Sequence, residues 1–359
     1  MSILDRYVSR EFLKNILFIT IAFIALFLIV DFFEKIRMFL SNQATAGQMA
    51  SYFLFRIPMI LAQILPAAVL LSSLITCGVL SRHSEITAMK ANGVSLYRIS
   101  VPIALIAALA CLLVFLLTEW VTPYANERAE YIRRIEVQKQ KPKGIFKQDQ
   151  IWYRGQRGIY NFRLFDPERN RLQGITIHYL DREMNLTMRL DAEWGEWREN
   201  RWVFHNLLIT RFQSGEFPDL SRVKQQAVDL PESPSDFRVV QKSADTMGYF
   251  ELRRYIDKLQ AEGYDATRYA ADLHGKVAFP LVGIILAAIG ISFSLRSERS
   301  GGIARGIGAG LVIGFSYWVV YAFGMSLGRS GALPPLFAAW LGNILFGAAS
   351  IWMVLRIKT

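Results

Sequence analysis

The residues with the most chemical promise in this sequence are cations at the edges of long apolar runs. Lys35 and Arg37 follow one such run, Arg56 lies near the start of the next, and Arg133 and Arg134 come just after a third. Ammonium and guanidinium groups so placed suit anionic headgroup oxygens, which Arg can hold with a bidentate fork. The competing account is that these long side chains snorkel to a membrane interface and bind nothing. A second group is Ser84-Glu85-Ile86-Thr87-Ala88-Met89-Lys90-Ala91-Asn92-Gly93. Ser84 or Ser81 can N-cap a short helix there, Glu85 favours its positive end, and Gly93 can stop it. Ile86 and Met89 would share one face. The segment then reads as a docking helix for a partner, or as an amphipathic loop lying on headgroups.

Motifs for covalent or nucleotide chemistry fail. Walker A requires G-x-x-x-x-G-K-[ST], and Gly275-Lys276-Val277 lacks both the hydroxyl residue and the upstream glycine. Gly306-Ile307-Gly308-Ala309-Gly310 mimics a dinucleotide loop but opens an apolar span with no strand before it. Gly306, Gly310 and Gly314 read better as a small-residue face for close helix contact. No G-x-S-x-G, H-E-x-x-H or paired-carboxylate motif survives. His83, His178, His205 and His274 show no ligand spacing, and Cys77 and Cys111 lie in apolar runs. Neither a metal centre nor a disulfide framework is expected. The chain is expected to be non-catalytic with no cofactor of its own, so any ATP and Mg would sit on a partner.

The elements that must position these residues follow from composition. Of 359 residues 52% are hydrophobic and 20% charged, below the roughly 25% charged of soluble proteins. The deficit is local: charge-free runs flank a middle third as charged as any soluble domain. The net charge of +11 has no dense basic helix behind it, which argues against nucleic-acid binding. Six spans are expected at 13–33, 53–80, 99–121, 276–295, 303–327 and 333–355, each long enough to cross about 30 Å of hydrocarbon. The first is too long for a signal-peptide core and no cleavage pattern follows, so it reads as uncleaved.

Basic residues set the orientation. Arg6, Arg10 and Lys14, then Arg82, Lys90 and Arg98, then the three arginines of Arg296–Arg305, then Arg356 and Lys358 all fall on one side if the spans alternate. The positive-inside rule makes that side cytoplasmic, with both termini there and the middle segment outside.

That middle segment reads as strands. Gly174–Tyr179 and Leu186–Leu190 alternate strictly, and a β-branched and aromatic run continues from Trp202 to Phe212. Turn signals at 166–170, 181–185 and 215–219 separate them. Even spacing implies a sandwich or jellyroll, with Trp194, Trp197 and Trp202 as core or interface aromatics. After Pro234 the period changes, and Leu252, Tyr255, Ile256 and Leu259 share the face of a connector helix stopped at Gly263. The expected fold is thus a polytopic α-helical membrane protein, with six transmembrane helices (3+3) and an inserted β-jellyroll. Its parts are an N-terminal transmembrane half (1–135), the jellyroll (136–242), the connector (243–275) and a C-terminal half (276–359).

Leu4-Asp5-Arg6-Tyr7, the Ser84–Gly93 segment and Glu119-Trp120-Val121-Thr122-Pro123 occur in an order that resembles the LptF/LptG lipopolysaccharide export permeases. The likeness runs the whole chain, and its opening and Glu-Trp-Val-x-Pro motifs lean to the LptG branch. It implies a permease subunit of an ABC transporter in the Gram-negative inner membrane that extracts lipopolysaccharide and passes it to a periplasmic bridge. The implied partners are an LptF-like paralogue, a cytoplasmic LptB-like ATPase dimer and a single-span LptC-like protein meeting the periplasmic jellyroll. On this likeness Ser84, Glu85, Ile86, Met89 and Gly93 couple to the ATPase, and Lys35, Arg37, Arg56, Arg133 and Arg134 hold substrate. Arg133 matches a substrate-contacting arginine of the family. Family members often carry lysine where this chain has Asp31, while Arg37 keeps the sign. The alternative is a non-transporting scaffold or receptor whose β-domain binds a periplasmic partner.

Overall fold

The computed structural model describes residues 3–139, 144–147, 150–154, 158–166, 169–181, 185–212, 217–230, 232–234, 237, 243–261, 265–296 and 303–356. Parts of the expected turns (167–168, 182–184 and 215–216), Gly263, most of the 296–305 loop and Lys358 lie outside them. The chain divides into two compact units, Met1–Gln138 with Ala244–Thr359, and Lys139–Ser243.

In the first unit α1 (Ile3–Ser41) and α2 (Ala46–Arg82) are joined by a short turn, and the small helix α3 (Glu85–Ala91) follows. Thr45 starts α2 with a capping box: its side chain accepts from the Gln48 amide while the Gln48 side chain accepts from the Thr45 amide. Next, α4 (Leu96–Leu116) runs through a π-helical stretch (Leu117–Val121) into α5 (Thr122–Tyr131) and a second π-helical stretch (Ile132–Val137). After the sheet come a 3-10 turn (Ala244–Thr246) and α6 (Tyr249–Ala261), then α7 (Thr267–Arg296), α8 (Ile303–Arg329) and α9 (Pro335–Leu355).

Among the described residues, six helical segments are long and apolar enough to cross a membrane. They outlast the expected spans, because the amphipathic turns beyond the apolar core stay helical: α1 begins ten residues before Leu13 and ends eight after Phe33. The third runs from Leu96 to Val137 rather than ending near Val121. Pro123 does not break it, because it opens α5, where a missing N–H costs little. The most apolar window of α2 is 67% buried and that of α7 56%, against 22% for α1 and 17% for α8. Thus α2 and α7 form the interior of the bundle. The four connector positions Leu252, Tyr255, Ile256 and Leu259 are all buried, and the Tyr255 ring meets Tyr269 edge-on at 5.1 Å.

The second unit is the jellyroll-like insert. Its seven described strands pair antiparallel in strict sequence order: β1 (Gly144–Lys147), β2 (Gln150–Arg154), β3 (Gly158–Asp166), β4 (Arg171–Leu180), β5 (Leu186–Arg198), β6 (Arg201–Arg211) and β7 (Asp219–Val228). One face carries the core, with Tyr160, Phe162, Ile175, Ile177, Trp202 and Phe204 buried. Phe237, returning after β7, closes over it edge-on to Phe162 at 4.9 Å. Trp202 is fully buried and donates to the Glu232 carbonyl at 2.8 Å. Trp194 lies between the His205 ring (3.6 Å) and the Arg171 guanidinium (4.2 Å) instead of in the core.

Candidate functional site

The α1–α2 turn brings the end of one helix beside the start of the next, and the second π-helical stretch lies against both. Their shared centre is Tyr52, 2% exposed and packed edge-on against Phe39 at 5.4 Å. Arg56, Lys35, Arg133 and Asp31 all lie within electrostatic reach of its hydroxyl. Lys35 pairs with Asp31 one turn away, and Arg133 and Arg134 share Glu130 at 2.6 and 2.9 Å. Arg56 makes no ion pair among the described residues: one guanidinium nitrogen approaches the Met59 sulfur at 3.3 Å, and its buried Nε has no partner. Arg37 stands apart. Two residues beyond Lys35 it points about 200° around the helix, and it is exposed. The structure therefore groups Lys35, Arg56 and Arg133 near one aromatic centre, joins Arg134 to them through the shared Glu130, and leaves Arg37 outside. Four cations against two paired carboxylates leave an excess of positive charge, and Arg56 is the least compensated member.

Within the same unit, α1, α2, α7 and α8 surround a cavity of about 530 Å³. Phe27, Met59, Phe279 and Trp318 give it apolar walls, while Asp272, Lys276, Tyr321 and Arg329 supply polar groups. Arg329 grips Asp272 with Nε at 2.8 Å and Nη2 at 2.7 Å. Sequence reasoning missed this cluster. Its signal was present in Asp272 and Lys276, one helical turn apart at the mouth of an apolar run, but the partner Arg329 is 57 residues away.

In the sequence Glu119 is only one member of a motif; in the structure it has a defined task. From the first π-helical stretch its carboxylate accepts from the backbone amides of Tyr249 and Phe250, the first residues of α6. A Cβ on Gly248 would lie 2.7 Å from Glu119 Oε1 and 2.8 Å from its carbonyl oxygen, so the approach needs glycine. Asn126 adds a second tie, donating to the Asp245 carbonyl at 3.1 Å. The segment that leaves the bundle toward the sheet thus clamps the segment that returns.

At the opposite end of the bundle, α3 sits on its own protein. Ile86 is fully buried in the helical core and Met89 packs against it. The exposed surface is instead Thr87, Ala88, Lys90 and Ala91. Ser84 occupies the N-cap position but in left-handed backbone (φ 58°) and without a side-chain capping bond, which corrects the capping expectation for it. Ser81 lies inside the last turn of α2, and Gly93, at φ 81°, follows the helix end. Arg98 pairs with Asp5 at 2.8 Å, fastening the start of α1 to α4. Among the glycines, a Cβ at Gly310 would press on Leu74 and Leu71 of α2 at 2.5 and 2.7 Å, while at Gly314 it would meet Leu70 at an ordinary 3.7 Å. Gly306 falls in α8, but its packing lies outside what is described. The tightest approach to backbone between the described helices is elsewhere, at Gly324, where a Cβ would lie 2.6 Å from the Ala338 carbonyl of α9.

A bundle of six spans interrupted by a β-sheet unit, with cations gathered at one end, defines a multi-pass membrane protein. Residues 6–356 match the family described as lipopolysaccharide export system permease LptF/LptG. The chain is similar to the lipopolysaccharide export system permease protein LptG of Escherichia coli (strain K12), at 23% identity across 99% of this chain and 98% of that protein. It is likewise similar to the protein of that name in Haemophilus influenzae (strain Rd), at 22% identity across 98% of each. The chain belongs to the LptF/LptG permease family.

Proposed function

We propose that this chain is one transmembrane half of an ABC transporter that lifts lipopolysaccharide out of the inner membrane toward a periplasmic bridge. The observation that carries the reading is the grouping of Lys35, Arg56 and Arg133 around Tyr52, with Arg134 beside Arg133 on the shared Glu130. A glycolipid bears phosphates, and an under-compensated guanidinium at a membrane edge is a good partner for them. Arg56 takes the leading contact, because its neighbours already share carboxylates. The exposed flanks of α1 and α8 are the surfaces for an LptF-like paralogue and for lipid acyl chains.

Power comes from an LptB-like ATPase meeting α3. The buried Ile86 and half-buried Met89 anchor that helix to the bundle, so the docking face is Glu85 with the exposed Thr87, Ala88 and Ala91. ATP and Mg stay on the ATPase. Both termini lie in the cytoplasm and the sheet unit lies in the periplasm, where an LptC-like protein receives the lipid; the charge bias of the short loops supports this orientation.

The test is ATP-driven release of lipopolysaccharide from proteoliposomes holding the assembled complex. Arg56→Glu with Arg133→Glu is expected to cut release by about tenfold or more, with the complex still assembled. Release at the wild-type level would refute the substrate role of this cluster.

A further inference from the structure

We propose that the cavity between α2, α7 and α8 holds a zwitterionic phospholipid, with its phosphate on Lys276 and its ammonium on Asp272. Arg329 Nε and Nη2 both contact the same Asp272 oxygen, Oδ1, and among the described residues none contacts Oδ2. Lys276 lies one turn further along α7 and makes no ion pair within 4.0 Å among the described residues. Four carboxylates, Asp245, Asp272, Glu119 and Glu251, nonetheless act on it through space. A half-buried lysine without a contact partner at the mouth of an apolar span is costly when ionised, and such residues mark ligand sites.

The charge balance selects the ligand class. The cavity wall carries Asp245 and Asp272 against Lys276 and Arg329, two of each sign. A net anion would meet as many carboxylates as cations, so this wall differs from the cation-rich group around Tyr52. A headgroup bearing both signs is matched: the phosphate accepts from Lys276 Nζ, and a primary ammonium donates to Asp272 Oδ2. Residues one turn apart lie about 5 Å from each other along the helix, comparable with the reach of a two-carbon phosphoethanolamine. Phe27, Met59, Phe279 and Trp318 then cover the acyl portion, and about 530 Å³ is ample for the headgroup and the first methylenes. A phosphatidylcholine headgroup has no N–H to donate, so it should bind worse. The inference requires only that the chain lies in a membrane and is independent of the lipopolysaccharide reading.

The experiment uses the assembled complex in nanodiscs of phosphatidylethanolamine and phosphatidylglycerol, transferred to mild detergent, with retained lipid identified by native mass spectrometry. Wild type should keep phosphatidylethanolamine in preference to phosphatidylglycerol, and should keep little phosphatidylcholine when that lipid replaces phosphatidylethanolamine in the disc. Lys276→Met is expected to lower retention by about tenfold or more, and Lys276→Arg to restore it. Gln63→Trp fills the cavity from the α2 side without touching the charges and should also expel the lipid, so the test survives a Lys276 variant that fails to assemble. Preferential retention of phosphatidylglycerol would make this an anion site and overturn the proposal. A folded wild type that keeps no lipid, or retention at the wild-type level in both Lys276→Met and Gln63→Trp, would overturn it as well.

Discussion

Replacing Glu119 with alanine should loosen the start of α6 without unfolding the bundle. The carboxylate accepts from the Tyr249 and Phe250 amides, so its loss leaves both without this acceptor and uncaps the helix. A neutral N-cap is worth about 0.5–2 kcal/mol and a hydrogen bond to an ionised group about 1.5–3 kcal/mol. The Phe250 bond is long, at 3.4 Å, and exposed, so nearly all the effect rests on the half-buried Tyr249 contact. About 2 kcal/mol is the resulting expectation, which corresponds to roughly 30-fold more frequent opening of the first turn. Hydrogen exchange by mass spectrometry on peptides spanning residues 244–256 reads this opening, with α7 peptides as the unmoved control. Glu119→Gln keeps a neutral acceptor and should cost about half as much. Gly248→Ala should loosen the same turn from the other side, since its Cβ would collide with Glu119. Exchange in Glu119→Ala within about twofold of wild type would refute the clamp as an energetic feature.

Three further outcomes follow from the geometry. Gly324→Ala should lower the thermal midpoint in detergent, since a Cβ 2.6 Å from a backbone carbonyl cannot be relieved by a side-chain rotation; the cost is about 1–3 kcal/mol. Gly314→Ala, with 3.7 Å to Leu70, should leave the midpoint unchanged, and the reverse order would contradict the packing described. Arg98→Ala should destabilise by about 1–2 kcal/mol, less than a fully buried pair because Arg98 is half exposed while Asp5 is not, and Asp5→Asn in the same chain should recover part of it in the same melt. Glu85→Lys should abolish ATP-dependent lipopolysaccharide release while the protein still inserts; release at full rate in that variant would separate α3 from coupling.

The six spans and the strand character of the insert were legible because they rest on composition and period, which are local. Their ends were not. Leu13 and Phe33 bound the apolar core of α1, but the helix continues through Asp5, Tyr7 and Arg37, where backbone hydrogen bonds persist after hydropathy has fallen. The π-helical stretches around Glu119 and Arg133 carry no sequence mark, and they set the direction of both residues. Of the cation group, residue types and membrane-edge positions were readable. Even the neutralising carboxylates were within reach, since Asp31–Lys35 and Glu130–Arg134 sit at helical spacing. What the sequence hid was convergence between distant segments: Arg56 with Arg133 around Tyr52, Glu119 with Tyr249, and Asp272 with Arg329. The same holds for α3, whose apolar face was legible, whereas the burial of Ile86 in the chain's own helical core was not.

The central claim is that the group around Tyr52 meets lipopolysaccharide on its way out of the membrane. A photoreactive residue placed at Arg56 in living cells, with a second at Arg133 and a control at Thr87 on the other end of the bundle, tests it most directly. The account predicts a lipopolysaccharide adduct at 56 and 133 and none at 87. Absence of an adduct at both 56 and 133 in a complex that still exports would contradict it.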